Sequence, residues 1–374
     1  MLDAIVVGAG PAGAVAALTM ARAGARVLIV DRATFPRDKL CGDTLNPGAV
    51  RLLADLGIGG NVLAGRPRLR GMRVTGPTTS VSCRYTPPTA GIAMRRRDFD
   101  MVLLEAAIRA GARFEPGITV RRLLPDRSGC IRGVVFASRR AGAEVRMPAL
   151  IVIGADGRRS VAARQAGLHT PARIRRWAFG AYAVGVADMT DLGEMHVRPG
   201  SYCGLAPIGD GMVNVCVVTT PPPGTRDALD VVRRTVSRED ELAARFAGAR
   251  FEGPTTVLGP LAAEVRAVGV PGLLLAGDAC GFVDPMTGDG IHLAMQGARL
   301  AAVEALRAID LGTFAEAVTR LARARRRRLG SKIRFNRVVR GLVQVPALIG
   351  LASLGAKIAP GLIDRAVVYA GDVG

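Results

Sequence analysis

The start of the chain carries an apolar run, a glycine turn and a helix in immediate succession, and few chain paths accept that order. Ala4-Ile5-Val6-Val7 reads as a buried parallel strand, Gly8-Ala9-Gly10-Pro11-Ala12-Gly13 as a tight turn, and Ala14 to Ala23 as a helix ended by Gly24. A second apolar strand, Arg26 to Val30, follows with Asp31 at its carboxyl end. Each part has a task in holding a dinucleotide. Gly8 permits the turn, Gly10 lets the backbone approach a pyrophosphate, and Gly13 lets the helix pack on the strand while the helix start, with Pro11 and Ala12, faces the phosphates. Asp31 is placed to bond a ribose hydroxyl, and Arg32 beside it also suits a 2′-phosphate. The turn does not separate one dinucleotide from another.

Two later runs repeat the logic of a strand that ends in a Gly/Asp turn. One is Ile151-Val152-Ile153-Gly154-Ala155-Asp156-Gly157, and the other is Leu273-Leu274-Leu275-Ala276-Gly277-Asp278-Ala279. The second leads through Pro285-Met286-Thr287-Gly288-Asp289-Gly290 into a helical stretch, Ile291 to Ile309. Strands ending in Asp156 and Asp278 would surround a single cofactor, with glycines allowing close backbone approach.

With these runs in view, the sequence resembles the geranylgeranyl reductase family of FAD-dependent oxidoreductases, within the p-hydroxybenzoate hydroxylase-like fold. The elements that carry the resemblance are GAGPAG at 8–13, FPRDKLCG at 35–42, RRDFD at 96–100, GADGRRS at 154–160 and GDACGFVDPMTGDG at 277–290. The resemblance implies that Asp31 binds the adenosine ribose, Arg96 lies near the flavin phosphates, Asp278 contacts the pyrophosphate and ribityl region, and Gly288 to Gly290 approach the isoalloxazine. Gly42, Gly277, Pro285 and Asp289 fall within the same cofactor-binding elements. Cys41, in the Cys-Gly element, would lie close to the reactive face of the flavin. Ser201-Tyr202-Cys203-Gly204-Leu205-Ala206-Pro207 is similar to the family's aromatic-rich substrate motif, with most aromatics replaced, and makes Tyr202 a candidate near the substrate. An ordinary strand of the second lobe is the other reading of that run.

The implied fold class is α/β. A Rossmann-like FAD-binding lobe is assembled from 1–66, 96–168 and 269–310, a mostly antiparallel substrate lobe from 67–95 and 169–268, and a helical C-terminal tail from 311–374. Pro221-Pro222-Pro223-Gly224 breaks the second lobe before a helix expected from near Thr225. From Arg320 to Arg340 the tail holds ten basic residues and no acid, and Leu342 to Ala356 is uncharged but too short to span a bilayer. Such a tail can lie on an anionic membrane or pack on the flavin lobe with a solvated face.

The formal charge of +20 suggests nucleic acid at first sight, but only Lys39, Lys332 and Lys357 among 51 basic residues are lysine, and no recognition motif accompanies the charge. A nucleic-acid partner is therefore not expected. The six cysteines have no metal-ligand or disulfide spacing. Residues 4–21 are uncharged, yet glycines and Pro11 interrupt them and Asp3 precedes them, so they do not read as a signal sequence. A cytoplasmic protein is expected, with peripheral contact at the inner face of the membrane if the tail binds lipid.

Only one complete dinucleotide fingerprint is present, so NAD(P)H or a reduced electron carrier must visit the flavin transiently. Reduced flavin can saturate a carbon–carbon double bond of a lipid-like substrate or activate O₂ for hydroxylation or halogenation. Gly281 follows GDAC where aromatic hydroxylases usually place His, and Gly65 to Val81 lacks the lysine that flavin halogenases need. Both features favour a reductase. A monooxygenase that tailors a polyketide or terpenoid, and a membrane-associated electron-transfer flavoprotein, are the alternatives. Substrate, donor and oligomeric state are left open.

Overall fold

Strand Leu2–Val7 buries Ala4, Ile5 and Val6 completely, which requires layers on both faces of the sheet, as a parallel sheet has. In the computed structural model, which describes residues 1–137, 144–170, 176–220, 225, 227–282, 285–344 and 360–371, this strand runs parallel between Val27–Asp31 and Glu144–Gly154. Leu273–Leu275 continues the sheet beyond Glu144–Gly154, and Arg113–Pro116 continues it beyond Val27–Asp31, both in parallel. Val7 pairs with Val30 and Gly154, and Gly154 pairs with Leu275. The carboxyl ends of these four strands therefore finish level. Gly8, Asp31, Asp156 and Asp278 all stand at or just past them.

Helix Pro11–Arg22 leaves the glycine turn and packs against helices Arg96–Arg109 and Gly290–Leu311. The shared core is rich in alanine, with Ala14, Ala16, Ala17, Ala298, Ala301 and Ala305 wholly buried. Small side chains let these helix backbones close on the sheet without voids. The opposite face of the sheet is covered by the antiparallel strands Thr119–Pro125 and Ile131–Ala137 and the first half of Glu144–Gly154.

A second sheet of seven strands is formed among the described residues. Its order is Arg250–Leu258, Trp177–Val184, Met212–Thr219, Ser201–Gly209, Gly193–Arg198, Gly71–Thr75, Ser80–Arg84. All neighbours are antiparallel except Gly193–Arg198 and Gly71–Thr75. Alternation along each strand divides the side chains between two faces. Cys203, Leu205 and Val217 join the layer under helices Ala228–Ser237 and Asp240–Phe246, whereas Tyr202 and Val218 turn to the other side, toward Phe282 and Met286 of the first lobe. The helix expected from near Thr225 begins instead at Ala228, because the Asp227 carboxylate accepts the N–H groups of Leu229 at 2.9 Å and Asp230 at 3.2 Å and caps it there. The Pro221–Gly224 breaker and residues 345–356 of the uncharged tail segment lie outside the described residues.

The tail packs on the body of the protein. Helix Phe314–Gln344 lies along Gly290–Leu311, and helix Pro360–Gly371 reaches strand Ser80–Arg84. Asn336 donates to both oxygens of the buried Asp289, at 2.9 and 3.0 Å. Among the described residues no helix is long and apolar enough to cross a membrane. Asn336→Ala takes a two-point donor from a buried carboxylate that also accepts from Thr287, and the expected loss is roughly 2–3 kcal/mol of unfolding free energy by chemical denaturation.

Candidate active site

One cavity of about 750 Å³ begins at the level strand ends and continues to the inner face of the second sheet. That size suits a cofactor together with a small or extended ligand. Its first part is shaped by backbone that tolerates no side chains. A Cβ on Gly8, whose φ is +103°, would stand 2.4 Å from the Ala155 carbonyl oxygen, and one on Gly13 would stand 1.8 Å from the Gly8 carbonyl oxygen. These two glycines are required by the fold itself. Gly10 differs, since a Cβ there would meet only the tip of Arg37, at 3.4 Å. The protein leaves room at Gly10 that its own packing does not need, which fits a pyrophosphate cradle.

The electrostatics agree with an anion in that position. Arg96 makes a two-point bond to the fully buried Asp100, at 2.7 and 2.8 Å, and Arg37 approaches the same carboxylate at 3.2 Å. The second terminal nitrogen of Arg37 is buried without a hydrogen-bond partner. Lys39 is pushed down to about 8 by burial, with Arg96, Arg37 and Arg158 acting in the same direction and Asp278 opposing them. Burial raises Asp278, while Lys39, Arg158 and Arg96 pull it back. Four cations, Arg37, Lys39, Arg96 and Arg158, thus gather around three carboxylates, Asp100, Asp278 and Asp43, and the surplus positive charge calls for an anionic ligand.

Asp31 lines the cavity, but its oxygens already accept the N–H groups of Ala9 at 2.8 Å and Ala33 at 2.9 Å. The same carboxylate that would take a ribose hydroxyl therefore also holds the glycine turn in place. Arg32 is exposed at the rim. Pro11, Ala12, Cys41, Gly42, Arg96, Asp278, Gly288, Gly290 and Tyr202 all reach the wall. Asp156 also reaches it, though one of its oxygens accepts from Val161 at 2.6 Å and Ala162 at 3.2 Å and starts helix Val161–Gln165, while the other is buried and unpaired.

Three expected residues, Gly13, Gly277 and Asp289, stand away from the wall. Gly13 is pressed against Gly8, and a Cβ on Gly277 would meet Ala12 at 2.6 Å, so both are packing positions. Asp289 turns its carboxylate to Thr287 and Asn336, which removes it from the cavity. Pro285 opens the short 3-10 turn Pro285–Thr287 that sets Gly288 in place.

Burial pushes the Cys41 thiol up, against the pull of the Arg96 guanidinium, so the group at the wall is a protonated thiol. Two residues beyond it lies the buried Asp43, which sequence reasoning missed. Asp43 accepts from the Tyr182 hydroxyl at 2.8 Å, the Asn214 amide at 2.8 Å and the Arg96 N–H at 3.1 Å. Burial raises its carboxyl to about 6, although these bonds favour the ionised form. Asn214 also donates to the Cys41 carbonyl at 3.0 Å. The Cys-Gly turn of the first lobe is thereby fastened to two strands of the second. The only sequence signal was an acid directly after the Cys-Gly element.

The FAD binding domain family matches residues 1–335. Menaquinone reductase of Mycobacterium tuberculosis is 36% identical over 326 residues, covering 80% of this chain and 75% of the relative. Digeranylgeranylglycerophospholipid reductase 1 of Methanothermobacter thermautotrophicus is 30% identical, over 83% of this chain and 78% of its own. The chain belongs to the geranylgeranyl reductase family of FAD-dependent oxidoreductases. Among solved structures, a geranylgeranyl bacteriochlorophyll reductase-like protein from Thermoplasma acidophilum superposes with a TM-score of 0.81 at 23% identity, over 94% of this chain and 90% of that one. A flavin-dependent brominase superposes with a TM-score of 0.86 at 19% identity, over 99% of this chain and 93% of that one. These two likenesses establish the fold.

The two glycine positions give a direct test of the cradle. Gly10→Val is expected to keep the far-UV circular dichroism of the parent while losing bound FAD, read as flavin absorbance after gel filtration. Gly13→Val, which cannot avoid the Gly8 carbonyl, is expected to yield no folded protein. Asp43 supplies a pH test. Tyr182→Phe removes a donor that favours the ionised carboxyl, so its cost grows as pH rises through about 6. Denaturant titrations of the apoprotein are expected to give a loss of about 1 kcal/mol at the acid end, where the bond is to a neutral acid, and about 2–3 kcal/mol two pH units above the midpoint, where it is to a carboxylate.

Proposed function

We propose that this FAD-dependent oxidoreductase saturates a carbon–carbon double bond in an isoprenoid or other lipid-like substrate, with electrons from NAD(P)H or a reduced carrier protein. The observation that carries the reading is the chemistry of the cavity beyond the cation cluster. Its wall there is built from Leu40, Met195, Val197, Tyr202, Leu261 and Met286, an apolar chamber with a thiol at its entrance. An apolar chamber accepts an alkene chain and excludes bulk water.

Bound and reduced, FAD supplies a hydride to one alkene carbon. The other carbon requires a proton, and Cys41, a wall group that burial keeps protonated, is the one we assign to supply it. The Cys41 thiol gives up that proton and is reprotonated from solvent in the next cycle. Tyr202 shapes the chamber, with the Arg176 guanidinium 5.0 Å from its ring. The two named reductases among its relatives support this reading, as does a segment from 65 to 81 that contributes no lysine to the cavity.

Anaerobic incubation with FAD, a deuterium-labelled nicotinamide reductant or dithionite in deuterated water, and a menaquinone or geranylgeranyl lipid is expected to give a saturated product with deuterium at carbon. Cys41→Ala is expected to retain FAD and lower kcat by on the order of 10²-fold or more, whereas Tyr202→Phe alters KM more than kcat. Product that carries oxygen, forms only in air and shows no saturated bond would overturn the assignment.

A further inference from the structure

The long tail helix Phe314–Gln344 has two faces with opposite characters. At about 100° per residue, Arg323, Arg326, Arg327, Arg334 and Arg337 fall within one side of it, and all five are exposed. None of the five is paired with an acid among the described residues, in contrast to Arg320, which is bonded to Glu304. Val338, 61% exposed, lies on the same side. On the opposite side, Leu321, Leu329, Lys332 and Asn336 are buried against the body.

The inner side of this helix belongs to the cavity. Phe335 and Val339 line it, and Val367 and Ala370 of helix Pro360–Gly371 line it next to them. The two helices are joined where the Phe335 ring meets the Tyr369 ring at 5.0 Å and Lys332 bonds the Tyr369 carbonyl. Tyr369 is itself 42% exposed. One layer of helix therefore separates an apolar chamber from a surface of unpaired arginines with an exposed valine.

We propose that this arginine face docks on the surface of an anionic lipid bilayer. Unpaired arginines supply the attraction to anionic headgroups, and Val338 on the same side supplies an apolar contact that an interfacial helix sinks into the headgroup layer. A nucleic acid would use the arginines but has no use for exposed valine beside them. The docking stands on the surface alone. Its consequence, that a long-chain substrate passes from the bilayer into the cavity beside Phe335 and Val367 without crossing water, rests on the lipid-substrate reading above.

The test uses the FAD-loaded protein and vesicles of equal phosphatidylglycerol and phosphatidylcholine, with pure phosphatidylcholine as the neutral comparison. Co-sedimentation is expected with the anionic vesicles, weakening as salt rises and the charges are screened, and little with the neutral ones. The variant Arg323→Gln/Arg327→Gln/Arg334→Gln/Arg337→Gln is expected to lower partition onto anionic vesicles by about 10²-fold or more. Its FAD content, melting temperature and turnover of a short, water-soluble alkene should match the parent. Its turnover of a long-chain alkene embedded in anionic vesicles should fall. Equal partition of parent and variant, or binding of duplex DNA more tightly than vesicles at equal salt, overturns the docking. Normal vesicle binding by the parent with no turnover of embedded or soluble alkene leaves the docking supported and overturns the substrate reading instead.

Discussion

The close approach of the first helix to the first strand is the constraint on which the rest of the site depends. Gly13 stands where any side chain would strike the Gly8 carbonyl, and Gly8 stands where any side chain would strike Ala155 of the neighbouring strand end. Gly277 meets the same helix at Ala12. Three separate stretches of chain are thus brought to one point by missing side chains. With that packing in place, the parallel register sets the strand ends level, and the acids that follow them are carried to the mouth of the sheet. Nothing bulky can be substituted at the contact without moving all three ends.

Charge is then arranged around that point in a way that the protein alone does not neutralise. Asp100 is wholly buried and answers both Arg96 and Arg37, but Lys39 and Arg158 are left to share Asp278. Burial is what pushes Lys39 down, and the neighbouring Arg96, Arg37 and Arg158 push in the same direction, so positive charge is costly there. An anionic ligand relieves it. The groups most costly to bury are therefore the ones that would gain most from an anionic ligand.

Much of this arrangement was legible in the sequence because it is local. A strand, a glycine turn and the first turn of a helix are contiguous, and so Gly8, Gly10, Asp31, Gly154 and Asp278 could be placed from spacing alone. What sequence did not show is which way a side chain turns once the lobes meet. Asp289 sits between two cavity-lining glycines yet faces Asn336 of the tail, because a buried carboxylate goes to the donor that can serve both its oxygens. Asp156 and Asp278 look alike in sequence, but the helix that begins after Asp156 claims one of its oxygens. Asp43 was invisible for the same reason. Its partners Tyr182 and Asn214 come from distant strands of the other sheet, and no local pattern announces a bond that exists only when two lobes dock.

Asp43 also explains how the two lobes can act as one site. The sheet that carries Tyr202 and the loop that carries Cys41 also meet through Leu40, which packs in the same apolar cluster as Tyr202, but apolar contact alone would allow them to slide. Three donors converging on one buried carboxylate do not allow that, since hydrogen bonds are directional and a buried acceptor left unpaired is costly. Asn214 extends the same connection to the Cys41 carbonyl, so the thiol is located by the sheet on which the chamber is built. The tail adds a second tie. Asn46 of the first lobe donates to the Ala370 carbonyl at 3.2 Å, and the Cys83 thiol of the second sheet points to the Asp364 carbonyl at 3.8 Å, so helix Pro360–Gly371 bridges both lobes while lining the cavity. The Cys41 thiol, the chamber wall and the outer helix are held in one frame by polar contacts, with apolar space between them.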